Sequence, residues 1–201
     1  MGDWDVLRDQ CAACTGCSLA ATRQNVVFGV GVTDAEVLLV GEGPGANEDR
    51  QGEPFVGAAG QLLDRMLAGV GFSRHHNVYI ANIVKCRPPQ NRDPLPEEQD
   101  ACIGWLRRQT ALLRPRIIVC LGRVAACRLI DPAFKVTRQH GQFVCKNGVW
   151  MMGTLHPAAL LRNPVQKADA FRDLVALRDK VQEVCTHTAL WWGEMNEPNR
   201  P

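Results

Sequence analysis

Four short runs along the chain are apolar almost throughout: Glu36–Val40, Val78–Ile83, Ile117–Leu121 and Trp150–Leu155. Continuous apolarity, rather than alternation with polar residues, is the mark of strands covered on both faces. Between them the spacing changes to a helical one. Gly60–Val70 carries Leu62, Leu63, Met66, Leu67 and Val70 toward one side. Pro96–Leu113 opens with a proline and two glutamates, a favourable helix start, and carries Cys102, Leu106 and Leu113. Arg123–Ile130 reads as a short helix, and Lys167–Cys185 places Phe171, Leu174, Val181 and Val184 at helical spacing. Val144–Val149 reads as a hairpin closed by Asn147-Gly148. Strands alternating with helices predict a parallel sheet sandwiched between helical layers. The pattern predicts one domain over residues 1–185 and a loosely held tail over 186–201, where Trp191-Trp192 is followed by Asn, Pro and Arg.

Composition narrows the class. A chain of 201 residues buries a proper core without help from a metal. The formal net charge of +2 is too small to mark a general polyanion binder, so any DNA-binding face is local. Lys135, Arg138 and His140 form one basic cluster, and Arg162 with Lys167 another. The start is polar and acidic, and no run approaches membrane-spanning length, so a cytoplasmic protein is expected. Nine cysteines are too many to be incidental, and without an export signal metal ligation is favoured over disulfides. Cys14 and Cys17 form a Cys-x-x-Cys pair, and Cys86 and Cys102 lie far downstream. Four thiolates brought together by folding suit an iron–sulfur cluster or zinc. Beside Cys86 runs a basic, proline-rich stretch containing Lys85, Arg87 and Arg92, suited to a polyanion.

In a parallel α/β sheet, ligands bind beyond the carboxyl ends of the strands. The loops there are unusual. The first strand ends in Gly41-Glu42-Gly43-Pro44-Gly45, a segment with few side chains that lets backbone approach a ligand closely. It has neither the spacing of a dinucleotide fingerprint nor the lysine of a phosphate loop, and a plain tight turn is the competing reading. Glu42 is either a surface carboxylate or an acid–base group. Phe55, flanked by Pro54 and Gly57, is either core or a platform for a flat ring. Asn82 either ties down a loop or offers a donor and an acceptor to a base edge. His156-Pro157 follows the last strand, where the proline stiffens the turn that carries the imidazole. Leu160 and Leu161 either cap the core or form an apolar wedge of the kind that unstacks DNA.

The stretches Gly41–Gly45, Glu53–Leu63, Asn82–Arg92 and His156–Pro164, with the four cysteines in order, resemble the iron–sulfur uracil-DNA glycosylases known as family 4. The resemblance covers about residues 11–185. It implies a three-layer α/β/α sandwich around a four-stranded parallel sheet. It also implies excision of uracil from DNA to leave an abasic site, as the first step of base excision repair. Cys14, Cys17, Cys86 and Cys102 correspond to ligands of a structural [4Fe–4S] cluster. Cys11 is a competing ligand, while Cys120, Cys127, Cys145 and Cys185 are read as plain thiols. By the same resemblance, Glu42 and His156 carry the chemistry, with Gly41, Glu42, Gly43, Glu48, Phe55, Asn82 and His156 around the base. Arg87, Arg92, Leu160, Leu161 and Arg162 face DNA.

The chain departs from the best-studied uracil glycosylases, whose first motif is Gly-Gln-Asp-Pro-Tyr. Gly43 takes the place of the water-activating aspartate, and Gly45 that of the tyrosine that excludes thymine. Glu42 is then the candidate for water activation and Glu48 for the steric block. A related covalent-trapping subgroup carries a histidine at the end of a basic insert, but residues 91–96 here contain none, so irreversible capture of DNA is not expected. The expected partner is uracil-containing DNA, single or double stranded, bound by a monomer. A sliding clamp or other repair partner is left open. Two rival classes stand beside the enzyme: a non-catalytic iron–sulfur module that grips DNA or a polymerase, and a structural zinc protein.

Overall fold

The computed structural model describes residues 2–193. Its elements, in chain order, are α1 (Asp3–Ala12), β1 (Val30–Gly31), β2 (Val37–Gly41), α2 (Ala46–Gln51), α3 (Ala58–Ala68), β3 (Tyr79–Asn82), α4 (Pro96–Leu113), β4 (Ile117–Leu121), α5 (Arg123–Leu129), α6 (Val136–Gln139), β5 (Phe143–Lys146), β6 (Val149–Thr154), α7 (Pro157–Arg162) and α8 (Lys167–Val184). Short 3-10 turns occupy Ser18–Ala21, Pro89–Asn91 and Pro164–Gln166.

The strands form a single sheet in the order β1-β3-β2-β4-β6-β5. The four central strands, β3-β2-β4-β6, are mutually parallel and correspond to the four apolar runs. The expectation of a four-stranded sheet is corrected to six, because an antiparallel strand is added at each edge. At one edge β5 pairs with β6 through Asn147-Gly148, both at positive φ, the backbone that a tight two-residue hairpin requires. At the other edge β1 is only two residues long, too short to carry any periodicity.

Successive residues of one strand serve opposite layers. Leu38 and Val40 of β2 face Ile103 and Leu106 of α4 together with Ala125 and Ala126 of α5. Val37 and Leu39 face Leu63 and Leu67 of α3 together with Leu174 and Leu177 of α8. α1 lies over α4, with Leu7 and Cys11 buried against Phe28. α4 starts where the prolines and glutamates predict: the Glu98 carboxylate accepts from the Leu95 backbone N–H at 2.8 Å, the glutamate half of a capping box whose other half a leucine cannot supply.

Residues 186–193, expected to be loose, are tied down. The buried carboxylate of Glu36, at the start of β2, accepts backbone N–H bonds from Thr186, His187 and Thr188 at 2.8–3.0 Å. It also accepts the hydroxyls of Thr186 and Thr188. Burial by itself pushes Glu36 up, but these donors outweigh it and hold the group at about 2. Farther on, Trp191 stacks on His76 with ring centroids 4.4 Å apart. Residues 194–201 lie outside the described residues. Among the described residues, no helix is long and apolar enough to cross a membrane.

Candidate active site

The carboxyl ends of β2, β3 and β6 open into a cleft of about 420 Å3, within the size range of small-molecule sites. Glu42, Gly43, Glu48, Phe55, Asn82, Arg92, His156 and Arg162 all line it, and Asp93 joins them. The loops singled out from the sequence therefore converge on one place.

Asn82 ends β3 and is 1% exposed, and its Oδ1 has no hydrogen-bond partner. A buried carboxamide oxygen left unpaired costs about 1–3 kcal/mol, so the protein carries a group in want of a ligand. Phe55 lies beside it. A Cβ on Gly41 would stand 2.4 Å from Asn82 Oδ1 and 2.6 Å from Phe55 Cζ. Glycine at the end of β2 is therefore what lets both side chains close on the backbone. Phe55 takes φ +55°, a left-handed backbone that a bulky residue rarely adopts. Two contacts hold it there. Glu48 Oε1 accepts the N–H groups of Val56 (2.9 Å) and Gly57 (2.8 Å). Arg74, 5% exposed, donates to the carbonyls of Pro54 and Phe55, each at 2.7 Å, and bridges to Asp64 and Glu53.

His156 is the N-cap of α7. Its Nδ1 accepts the Ala158 N–H at 3.1 Å, so the neutral ring carries its proton on Nε2. Burial pushes the imidazole down, with Arg162 adding to it and Glu48 opposing, to about 4. The ring is therefore neutral at physiological pH and offers an N–H without a charge. Its centroid is 5.7 Å from that of Phe55. Glu42 behaves in the opposite sense. Burial and the facing Asp93 carboxyl push it up to about 7, while Arg123 pulls it down.

The DNA-facing expectations divide. Leu161 is 42% exposed, but Leu160 is 1% exposed and packs with Leu62, Leu155 and Ala170, so Leu160 caps the core and the wedge reading passes to Leu161. Val165, 85% exposed, lies just beyond it. Arg162 is exposed at the cleft. Arg87 is half-buried and donates to Asn91 Oδ1 at 2.7 Å. Arg92 reaches the cleft, but its guanidinium is taken up by a two-pronged bond to buried Glu98 at 2.6 and 2.8 Å. Of the other basic cluster, His140 is bonded to Asp173 at 2.9 Å, which also accepts from Thr154. Arg74, Asp93 and Arg123 escaped the sequence reading. Asp93 lay within a quoted loop, where a carboxylate near a strand end was its only signal; Arg74 had none.

Cys14, Cys17, Cys86 and Cys102 border a common recess with Cys11, Lys85, Arg23 and Trp105. N–H groups aim at three of the sulfurs. Gly16 and Trp105 donate to Cys14 (both 3.4 Å), Arg23 to Cys86 (3.4 Å), and Lys85 to Cys102 (3.2 Å). Donors turned toward sulfur suit thiolate ligands and tune them. Cys11 is fully buried, and burial pushes its thiol up to about 12. The buried Lys85 ammonium also donates to the Asn82 carbonyl at 3.1 Å, joining this recess to the cleft. Among the described residues, no three His, Cys, Asp or Glu side chains converge closely enough for a single metal ion.

Residues 28–177 match the family model of the uracil DNA glycosylase superfamily. The chain is 44% identical over 190 residues to a type-4 uracil-DNA glycosylase of Archaeoglobus fulgidus, covering 90% of this chain and 92% of that protein. It is 43% identical over 161 residues to a type-4 enzyme of Thermotoga maritima, covering 79% and 83%. A type-5 uracil-DNA glycosylase of Pyrobaculum aerophilum is 36% identical over 146 residues, covering 65% of this chain and 64% of that protein. With its strand-end loops gathered into one cleft and its sequence matched across most of its length, the chain belongs to the uracil DNA glycosylase superfamily, among the type-4 enzymes.

Proposed function

We propose that the cleft of Glu42, Phe55, Asn82 and His156 excises uracil flipped out of DNA, hydrolysing its N-glycosidic bond and leaving an abasic site. The unpaired, buried Asn82 carboxamide beside the Phe55 ring is the observation that carries this reading. A target base inside a duplex is out of reach, so the nucleotide is extruded at a cost of a few kcal/mol. Leu161 fills the vacated space and Arg162 sits near phosphate. Phe55 stacks on the uracil ring. Asn82 bonds its O4 and N3–H edge, where cytosine presents a donor in place of O4 and leaves the site mispaired.

As the bond from C1′ to N1 breaks, its electron pair goes to uracil and negative charge develops on O2. His156 donates Nε2–H to that oxygen. A neutral donor preorganised in a buried site stabilises developing charge without first having to lose a proton. The deoxyribosyl cation is stabilised by DNA phosphates and the Glu42 carboxylate. Water then adds to C1′ and gives its proton to Glu42. Glu48 holds the Phe55 loop and, lining the cleft, is the candidate for the steric block against a 5-methyl group.

Cys14, Cys17, Cys86 and Cys102 are the residues that would hold a [4Fe–4S] cluster, and their N–H···S bonds support that assignment over unligated thiols. Such a cluster would supply structural order, tying the segment that follows Lys85 to α4 through Cys86 and Cys102.

The test is excision from a labelled oligonucleotide containing one uracil, followed by alkaline cleavage at abasic sites. Cleavage at uracil that is lost in Glu42→Ala and His156→Ala supports the assignment. His156→Ala is expected to keep DNA binding nearly intact, and equal loss of binding and cleavage would remove its anion-stabilising role. A folded protein with visible thiolate-to-iron absorbance and no cleavage would instead favour the non-catalytic module.

A further inference from the structure

Asp93 is a carboxyl of the cleft for which the reaction outlined above has no use. It follows Arg92 in the loop after the Pro89–Asn91 turn, and its carboxyl meets that of Glu42 across the cleft. On its other side it accepts from Arg123, at the start of α5. Most of the other charged groups around Glu42 have partners of their own. Glu48 binds the Val56 and Gly57 amides, Arg92 binds Glu98, and His156 is neutral. Arg162 lines the cleft from α7.

We infer that Asp93, tied to Arg123, is the exit for the proton that the Glu42 carboxylate takes from the attacking water. The inference rests on the assignment of water activation to Glu42. In the step, a water oxygen bonds to C1′ as its proton passes to a Glu42 carboxylate oxygen. The proton then crosses to Asp93 and from there to solvent. Asp93 is suited to the second transfer because its side chain is 59% exposed, whereas Glu42 lies within the cleft. The ion pair to Arg123, itself 62% exposed, adds little to stability, so its value lies in holding the Asp93 side chain at the cleft. This arrangement gives the chain, which lacks the aspartate of the better-known motif, a carboxylate whose ionisation falls near neutral pH.

The test is the pH dependence of single-turnover excision, read as the midpoint of the acid limb and so independent of plateau height. Asp93→Asn removes a negative neighbour and is expected to move the midpoint down by roughly half a pH unit, about threefold in relative rate at pH 6. Arg123→Gln removes a positive one and is expected to move it up. Shifts of opposite sign are not produced by general loosening of the loop, and unchanged thermal midpoints would show that both exposed substitutions leave the fold intact. Midpoints that stay put, or that move in the same direction, overturn the inference. Glu42→Gln separates the two levels. If it abolishes excision while Asp93→Asn leaves the midpoint unmoved, Glu42 keeps its role and Asp93 loses the one proposed. If Glu42→Gln excises at the parent rate, both fall.

Discussion

Replacing Arg74 by methionine tests how the Phe55 loop is held. Methionine keeps most of the stem's packing and removes every donor. Two buried carbonyls, those of Pro54 and Phe55, then lose bonds of 2.7 Å. Each buried acceptor left unpaired costs about 1–3 kcal/mol. The carboxylates of Glu53 and Asp64 are 43% and 45% exposed, so water takes over their bonds at little cost. Phe55 sits at φ +55°, which for an L-residue stores roughly 1–2 kcal/mol that the loop releases once it is free. Part of the carbonyl cost is thereby recovered, and the net expectation is about 3 kcal/mol of lost stability. For a chain of this size that is a fall of about 6–12 °C in melting temperature. Phe55 then leaves its place against Gly41 and Asn82, and a misplacement of about 1 Å costs on the order of 100-fold in rate. Urea unfolding gives the stability, and single-turnover excision of uracil gives the rate. Arg74→Lys is expected to fall between, because one ammonium does not reproduce the planar fork that spans both carbonyls and Asp64. A loss below about 1 kcal/mol with an unchanged single-turnover rate would refute the reasoning, since the guanidinium would then be bridging groups that water serves as well.

Leu160→Ala is expected to cost about 2–5 kcal/mol as a core truncation. Leu161→Ala, by contrast, leaves stability within about 0.5 kcal/mol and slows excision from duplex more than from single-stranded DNA; equal slowing on both substrates would remove Leu161 as the wedge. Asn82→Asp is expected to weaken discrimination between uracil and cytosine, measured as the ratio of kcat/KM on matched oligonucleotides, and an unchanged ratio would take Asn82 out of base reading. Glu36, held at about 2 against an ordinary 4.5, contributes stability that is present above pH 4.5 and lost as pH falls toward 2. Glu36→Gln is expected to flatten the pH dependence of the urea midpoint between pH 5 and 3, and an unaltered slope would show that the carboxylate does not strap down residues 186–188.

The four central strands were legible because both of their faces are covered. A strand buried on two sides has to be apolar throughout, and that signal is local. The same holds for α4, whose start is written in Pro96, Glu97 and Glu98, and for the hairpin at Asn147-Gly148, where the residue type states the backbone angle. The loops of the cleft were legible for a related reason. Glycine, proline and a few polar residues at strand ends have no core role to explain them, and their order matched a known family.

Other features were decided only by the folded chain. β1 is two residues long and exists because β3 offers an open edge. Leu160 and Leu161 are the same residue type side by side, and only the rotation of α7 against α3 sends one into the core and the other to solvent. Arg92 looked like a phosphate contact until Glu98, six residues on, was brought under it. The segment from Thr186 reads as a tail because its partner, Glu36, lies 150 residues earlier. Sequence by itself determines the residue types and local backbone preferences that make a parallel sheet with a polar, glycine-rich edge. Which carboxyl faces which, which amide is left unpaired and which arginine is free depend on side chains meeting across long separations, and that encounter is settled only by packing.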